Sequence, residues 1–281
     1  PELVKAWLEG DWGVISGAAF EKLSQQKHMI RPFEMPKHWT RFTSMDWGTA
    51  KPYAIYWFTV CDDLLELKAR EGWPSKLIAK GSLIVYRELY GFSGKADTGT
   101  REESWEVARN MMKLESPDEL IDYRIADSAM WAEHDGPSAA ENFQNELVKL
   151  QKALIKSGYK IPPGEKLSTC ALEKSRKDRT ANYLEFRNRL AAVEGEQPGL
   201  YFFSTLKHFW RTVPDLQLDE REPEKGWDTD QEDHAADCIA YGIVSRPKLW
   251  TFRERDNLAY DRARKQSFEA ERGGKKGGGR Y

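Results

Sequence analysis

Met45-Asp46-Trp47-Gly48-Thr49 closes an apolar run and opens a turn. Residues 43–46 read as a strand, Gly48-Thr49-Ala50-Lys51-Pro52 as a turn and residues 53–60 as a second strand. A carboxylate at the last position of a central strand is costly to bury without a partner. Two readings stand for Asp46 at this point: a turn cap, or a ligand to a metal cation.

Outward from that turn, a third strand is expected over residues 81–90, where Leu83-Ile84-Val85-Tyr86 supplies aliphatic and aromatic density. A polar excursion over 61–80 separates it from the second. Trp105, Ala108, Met111 and Met112 set helical spacing over 102–114, with Thr100 as the expected cap. Residues 122–127 form a fourth strand that again ends on an aspartate, Asp127. Pro137 suits the first turn of a second helix, which runs to Gly158, and a third helix is expected over 176–193. A fifth strand over 200–203, a short helix over 207–213 and a last helix over 232–245 complete the order. Three antiparallel strands followed by alternating helices and strands imply an α/β fold, a mixed central sheet with helices on both faces.

Residues 1–40, punctuated by Gly10, Gly13, Gly17, Pro32 and Pro36, read as a lead-in or linker, and 41–247 as the domain. Residues 248–281 read as a charged extension whose last ~10 residues are disordered on composition. The chain has 281 residues, 40% of them hydrophobic and 12% aromatic, enough for a sizeable core. Its net charge of −2 does not exclude nucleic acid, because an acidic metal site and basic flanks cancel in the sum. No apolar run approaches the ~18 residues of a membrane span. There is no signal-peptide pattern, and Cys61, Cys170 and Cys238 are unpaired in spacing, so an intracellular, non-secreted protein is expected. The first residue is Pro1 rather than methionine, as expected of a piece of a longer protein.

The chemistry is carried by acids at element ends. Asp46 ends strand one and Asp127 strand four, while Asp233, His234 and Asp237 share one edge of the last helix at three- and four-residue spacing. Ala235, Ala236 and Ala240 would let that helix lie close to a sheet. Converging carboxylates repel unless cations lie between them, and hard oxygen ligands point to Mg²⁺ or Mn²⁺. Glu88, on the third strand, is either a further ligand or a sheet-edge charge. Lys174, Arg176, Lys177 and Arg179, with Arg187 and Arg189 beyond, form the densest basic cluster. Arg262, Arg264, Lys265, Lys275 and Lys276 form a second. Such clusters are either DNA-phosphate contacts or solvated faces.

Trp7-Leu8-Glu9-Gly10-Asp11-Trp12, Met45-Asp46-Trp47-Gly48, Tyr86-Arg87-Glu88-Leu89-Tyr90-Gly91, Asp127-Ser128-Ala129-Met130-Trp131 and Glu232-Asp233-His234-Ala235-Ala236-Asp237 resemble the C-terminal nuclease half of tailed-bacteriophage large terminase subunits. The blocks keep the family's order, with comparable spacing, from residue 1 to about 246. The resemblance implies an RNase H-like fold and metal-dependent endonuclease cleavage of concatemeric DNA during genome packaging, leaving 5′-phosphate ends. It implies two Mg²⁺ or Mn²⁺ ions held by Asp46, Asp127 and the Asp233/His234/Asp237 group, Asp237 ranked first, with Glu88 as a second-rank ligand. It also implies double-stranded DNA, a portal protein, a small terminase subunit and an N-terminal ATPase domain as partners, in the host cytoplasm. Large terminases carry a packaging ATPase, yet no G-x-x-x-x-G-K-[ST] loop occurs here. This chain is therefore expected to cut DNA without pumping it, as an excised domain. Two other readings remain: a junction-resolvase-type nuclease on the same fold, or a non-catalytic docking module for the portal or small subunit.

Overall fold

A computed structural model describes residues 17–132, 136–191 and 197–246. The central strand is β2 (Arg41–Asp46), all six residues of which are buried. It pairs antiparallel with β3 (Ala54–Val60) on one side and parallel with β7 (Tyr123–Ala126) on the other. β3, buried along its whole length because both faces are covered, pairs antiparallel with β6 (Leu83–Tyr90). Beyond β7 lies β8 (Glu173–Lys174); beyond β6 lie β9 (Leu200–Phe203) and then β1 (Met29–Ile30). The seven-stranded order is β1-β9-β6-β3-β2-β7-β8. The five strands β6-β3-β2-β7-β8, an antiparallel meander followed by two parallel strands beside the first, keep the RNase H-like order. The excursion over 61–80 is a separate hairpin of β4 (Leu65–Leu67) and β5 (Lys76–Ile78).

Helices cover both faces. α2 (Ser104–Leu114) and α3 (Ala139–Lys156) lie on the face of Trp57 and Arg124. There Glu115, at the end of α2, takes two hydrogen bonds of 2.7 Å from the buried Arg124 guanidinium and one from Trp57 Nε1. α6 (His234–Ser245) lies on the opposite face, where the Ser44 hydroxyl donates to the Cys238 carbonyl at 2.6 Å. α4 (Arg179–Leu190) packs against α6, and α5 (Lys207–Thr212) follows β9. Gly242 sits where α6 comes closest to the sheet: an added Cβ would lie 2.5 Å from Phe58 Cζ and 3.0 Å from Ser44 Oγ. Gly242→Ala is expected to lower stability by about 1–3 kcal/mol through forced separation of helix and sheet, read as a lower urea midpoint at unchanged slope. No helix among the described residues is long and apolar enough to cross a membrane.

Three expectations are corrected. Residues 17–40 are part of the domain rather than a lead-in. Ala19, Phe20, Leu23 and Ile30 are buried, Phe20 packs on Phe186 and Trp227, and β1 extends the sheet. A two-residue edge strand beside α1 (Gln25–His28) is too short to show a period among glycines and prolines. The α2 cap is not Thr100, whose hydroxyl donates to Glu102; the Glu103 amide is held by Glu106 in a capping box. The third helix begins at Arg179, not 176, because the Asp178 carboxylate caps it through the Ala181 amide. The Trp7–Trp12 block, the charged extension over 248–281 and the second basic cluster lie outside the described residues.

Candidate active site

Strand parity brings the first two acids together. β2 and β7 run parallel with Phe42 beside Tyr123, Ser44 beside Ile125 and Met45 beside Ala126. Continuing one step sets Asp46 beside Asp127, whose amide donates to the Met45 carbonyl at 2.8 Å. Both side chains therefore leave the sheet on the α6 face, at the carboxyl ends of adjacent parallel strands. The Asp127 carboxylate also accepts from the Ala129 amide at 3.1 Å, capping a short 3-10 turn over Ser128–Trp131.

Asp233 and the first turns of α6 supply the remaining groups. His234 Nδ1 lies 3.1 Å from Asp46 Oδ2 and 4.0 Å from Asp233 Oδ1. Asp233 is buried, with Trp227 Nε1 donating to its Oδ2 at 3.2 Å and the Arg179 guanidinium at 3.9 Å. Asp237 is half-buried one turn on, and Tyr241 a turn further. The structure thus brings together Asp46, Asp127, Asp233, His234 and Asp237.

The electrostatics follow from burial and crowding. Burial pushes the Asp46 carboxyl up; the His234 hydrogen bond and charge oppose this, and Asp127 adds repulsion, for a net rise. Asp233 is pushed up to about 6 by burial, with His234 opposing and Asp46 adding to the rise. Asp237 is held well above the carboxylate range by burial and by repulsion from Asp233 and Asp46. For His234, burial lowers the pKa, but the hydrogen bond and charge of Asp46, backed by Asp233 and Asp237, raise it on balance. Burial, then the charges of Asp237, Asp46 and Asp127, raises the Tyr241 phenol. Buried acids that resist ionisation through desolvation and mutual repulsion are a donor set suited to hard divalent cations. Among the described residues, no three His, Cys, Asp or Glu side chains are closed up around a metal position. The arrangement is open, and His234 occupies the Asp46 oxygen that faces it.

Glu88 stands apart from this cluster. Its two oxygens accept the His208 and Phe209 amides at the start of α5 (2.9 and 3.2 Å) and the Tyr56 hydroxyl (3.1 Å), so it caps a helix. The basic cluster is not one helix face. Lys177 Nζ lies 3.6 Å from Asp127 Oδ1, Arg179 faces Asp233, and Lys174 on β8 sits 5.4 Å from the centre of the Trp131 ring. Arg176 is exposed, while Arg187 pairs with Glu21 at 3.0 Å, away from the acids.

Two residues absent from the sequence reading join the site. Tyr241, four residues after Asp237, was legible in principle from helical spacing. Asp97 was not. It sits in the loop after β6, its Oδ1 lies 3.1 Å from His234 Nε2, and its carboxylate pairs with Lys51. Its φ of +52° is left-handed, which a non-glycine residue adopts at a cost of about 1–2 kcal/mol.

Fold and site define an RNase H-like α/β domain with an acidic cluster at the carboxyl end of its central parallel strands. No family model matches the sequence, and no curated protein matches it. Among solved structures, the chain is similar to the nuclease domain of the phage P22 large terminase (14% identity, TM-score 0.49, covering 82% of this chain and 93% of that one). It is also similar to the large terminase of a thermophilic bacteriophage in two crystal forms. One shows 15% identity and a TM-score of 0.49, covering 82% of this chain and 45% of that one. The other shows 18% and 0.48, covering 82% and 44%. The chain thus spans less than half the length of that second protein.

Proposed function

We propose that this chain is a divalent-cation-dependent endodeoxyribonuclease that cuts concatemeric viral DNA during genome packaging. The observation that carries the reading is the pairing of Asp46 and Asp127 at adjacent parallel strand ends, beneath the Asp233–His234–Asp237 edge of α6. Asp46, Asp127 and Asp237, with Asp233 and His234 beside them, would hold Mg²⁺ or Mn²⁺, most simply two ions, which supply charge stabilisation for in-line displacement at phosphorus. The strand backbone fixes Asp46 and Asp127, so little reordering is needed when substrate arrives. Lys177 and Lys174, flanking Asp127, with the exposed Arg176, would hold DNA phosphates. Arg179 is committed to Asp233 and Trp227, and Arg187 is remote, so these two contribute less. Few base contacts are expected, and cutting is of low sequence specificity. The packaging setting rests on the sequence blocks. It brings with it a portal protein, a small terminase subunit and an ATPase domain as partners, in the host cytoplasm.

The test is nicking of supercoiled plasmid. Cutting is expected with Mn²⁺ or Mg²⁺ and none with EDTA. DNA left intact with both ions overturns the reading and favours a docking module. Strong preference for a four-way junction over linear and supercoiled DNA would point instead to a resolvase.

A further inference from the structure

Asp97 reaches the cluster from the loop after β6, across from α6. Gly99 N–H donates to the Ala50 carbonyl at 2.8 Å and Arg101 N–H to the Thr49 carbonyl at 3.1 Å, pinning the loop to the turn after Asp46. The contact is too tight for a side chain: a Cβ on Gly99 would lie 2.3 Å from the Lys51 carbonyl oxygen and 2.4 Å from that of Thr49. Asp97 N–H donates to Glu232 Oε2 at 3.3 Å, and Glu232 is itself clamped by Arg211 and by the Tyr90 hydroxyl. The left-handed backbone then turns the carboxylate inward, onto Lys51 and His234. A left-handed aspartate held from three sides and aimed at a site is a conformation from which a functional role is worth testing.

We propose that Asp97 is a positioning residue: it holds His234 Nε2, so that only Nδ1 faces Asp46 and the acidic cluster. The inference rests on the nuclease reading for its purpose, though not for its geometry. A carboxylate on the far nitrogen of a histidine fixes both tautomer and ring angle, and losing such a partner commonly weakens cation binding 10–100-fold.

Two variants separate positioning from packing. Asp97→Gly suits the left-handed backbone but removes the acceptor; Asp97→Asn tolerates that backbone and keeps an amide oxygen for the ring. In ¹⁵N-histidine spectra of the cation-free protein, a slowly exchanging Nε2 proton on His234 is expected in wild type and Asp97→Asn. The signal, assigned by its loss in His234→Gln, should disappear in Asp97→Gly. Calorimetric titration with Mn²⁺ should show about tenfold or more weaker binding for Asp97→Gly, near-wild-type binding for Asp97→Asn, and an unchanged or higher melting temperature for Asp97→Gly. An Nε2 proton that persists in Asp97→Gly, or Mn²⁺ binding that Asp97→Gly leaves intact, overturns the proposal. Wild-type protein that binds no Mn²⁺ sinks the nuclease reading instead, and the cation-free spectra then decide the role of Asp97 alone.

Discussion

Asp46→Asn and Asp237→Asn are each expected to abolish DNA nicking, by on the order of 10³-fold or more, while the protein stays folded and, at pH 8, melts at a higher temperature than wild type. The activity loss follows from removing one of the few charges that would hold cations worth several kcal/mol to the reaction. The gain in stability follows from the same chemistry seen without cations. Both carboxyls have raised pKa values, because ionised they are buried and repelled by their neighbours, and a neutral isostere removes that penalty. Asp237→Asn should gain more, since Asp46 also gives up its 3.1 Å contact with His234. Plasmid nicking and thermal melts on one preparation check both halves. Variants that cut like wild type would refute the site assignment, whereas inactive variants with lower melting temperatures would make these acids structural.

The second large effect is on stability against pH. A carboxyl whose pKa is raised on folding contributes fully below its unfolded value, and that contribution is lost as pH rises through the folded value. For Asp233, raised from 3.8 to about 6, the loss is on the order of 3 kcal/mol, at about 1.4 kcal/mol for each pH unit. Asp46 and Asp237 move the same way. His234, also raised, contributes below 6.5 and loses its contribution as the ring deprotonates at higher pH. These four groups act in one direction, opposed by His28 and His208, whose rings burial holds below the usual value. In EDTA the protein should be more stable at pH 5 than at pH 8, and millimolar Mn²⁺ should restore stability chiefly at the alkaline end, where the acids are free to bind it. Calorimetric scans at the two pH values, with and without Mn²⁺, measure this. A cation-free melting temperature that climbs from pH 5 to pH 8 would contradict it.

How much of this was legible in the sequence depended on whether a residue sits on a regular element. Asp46 and Asp127 could be found because each closes a strand before a turn, and Asp233, His234 and Asp237 because they share helical spacing. The central meander was legible because β2, β3 and β6 are long and buried. β8 was not: two exposed charged residues carry no apolar signal, and the sheet register alone recruits them. β9 reads as a strand from its apolar run, but its place beside β6 depends on contacts distant in sequence. Glu88 was ambiguous because a strand glutamate looks the same whether it faces a cation or caps a helix; the amides that decide it lie 120 residues away. Asp97 lay in a Gly-rich loop whose sequence reads only as a turn, and its role comes from a backbone angle and from partners at Lys51 and His234.

The pairing of β2 with β7 makes the acidic cluster a matter of odd and even. Residues 42, 44 and 46 share a face with 123, 125 and 127, so each aspartate reaches α6 only while the count of residues along its strand keeps its parity. Deleting or inserting a single residue in either strand would turn that acid toward α2 and α3, into the layer held by Arg124 and Glu115, with every acid of the site still present in the chain. The chemistry of the site is thus written as a count of residues as much as in their identities, and a lineage carrying all five acidic-cluster residues could lose the site through one codon.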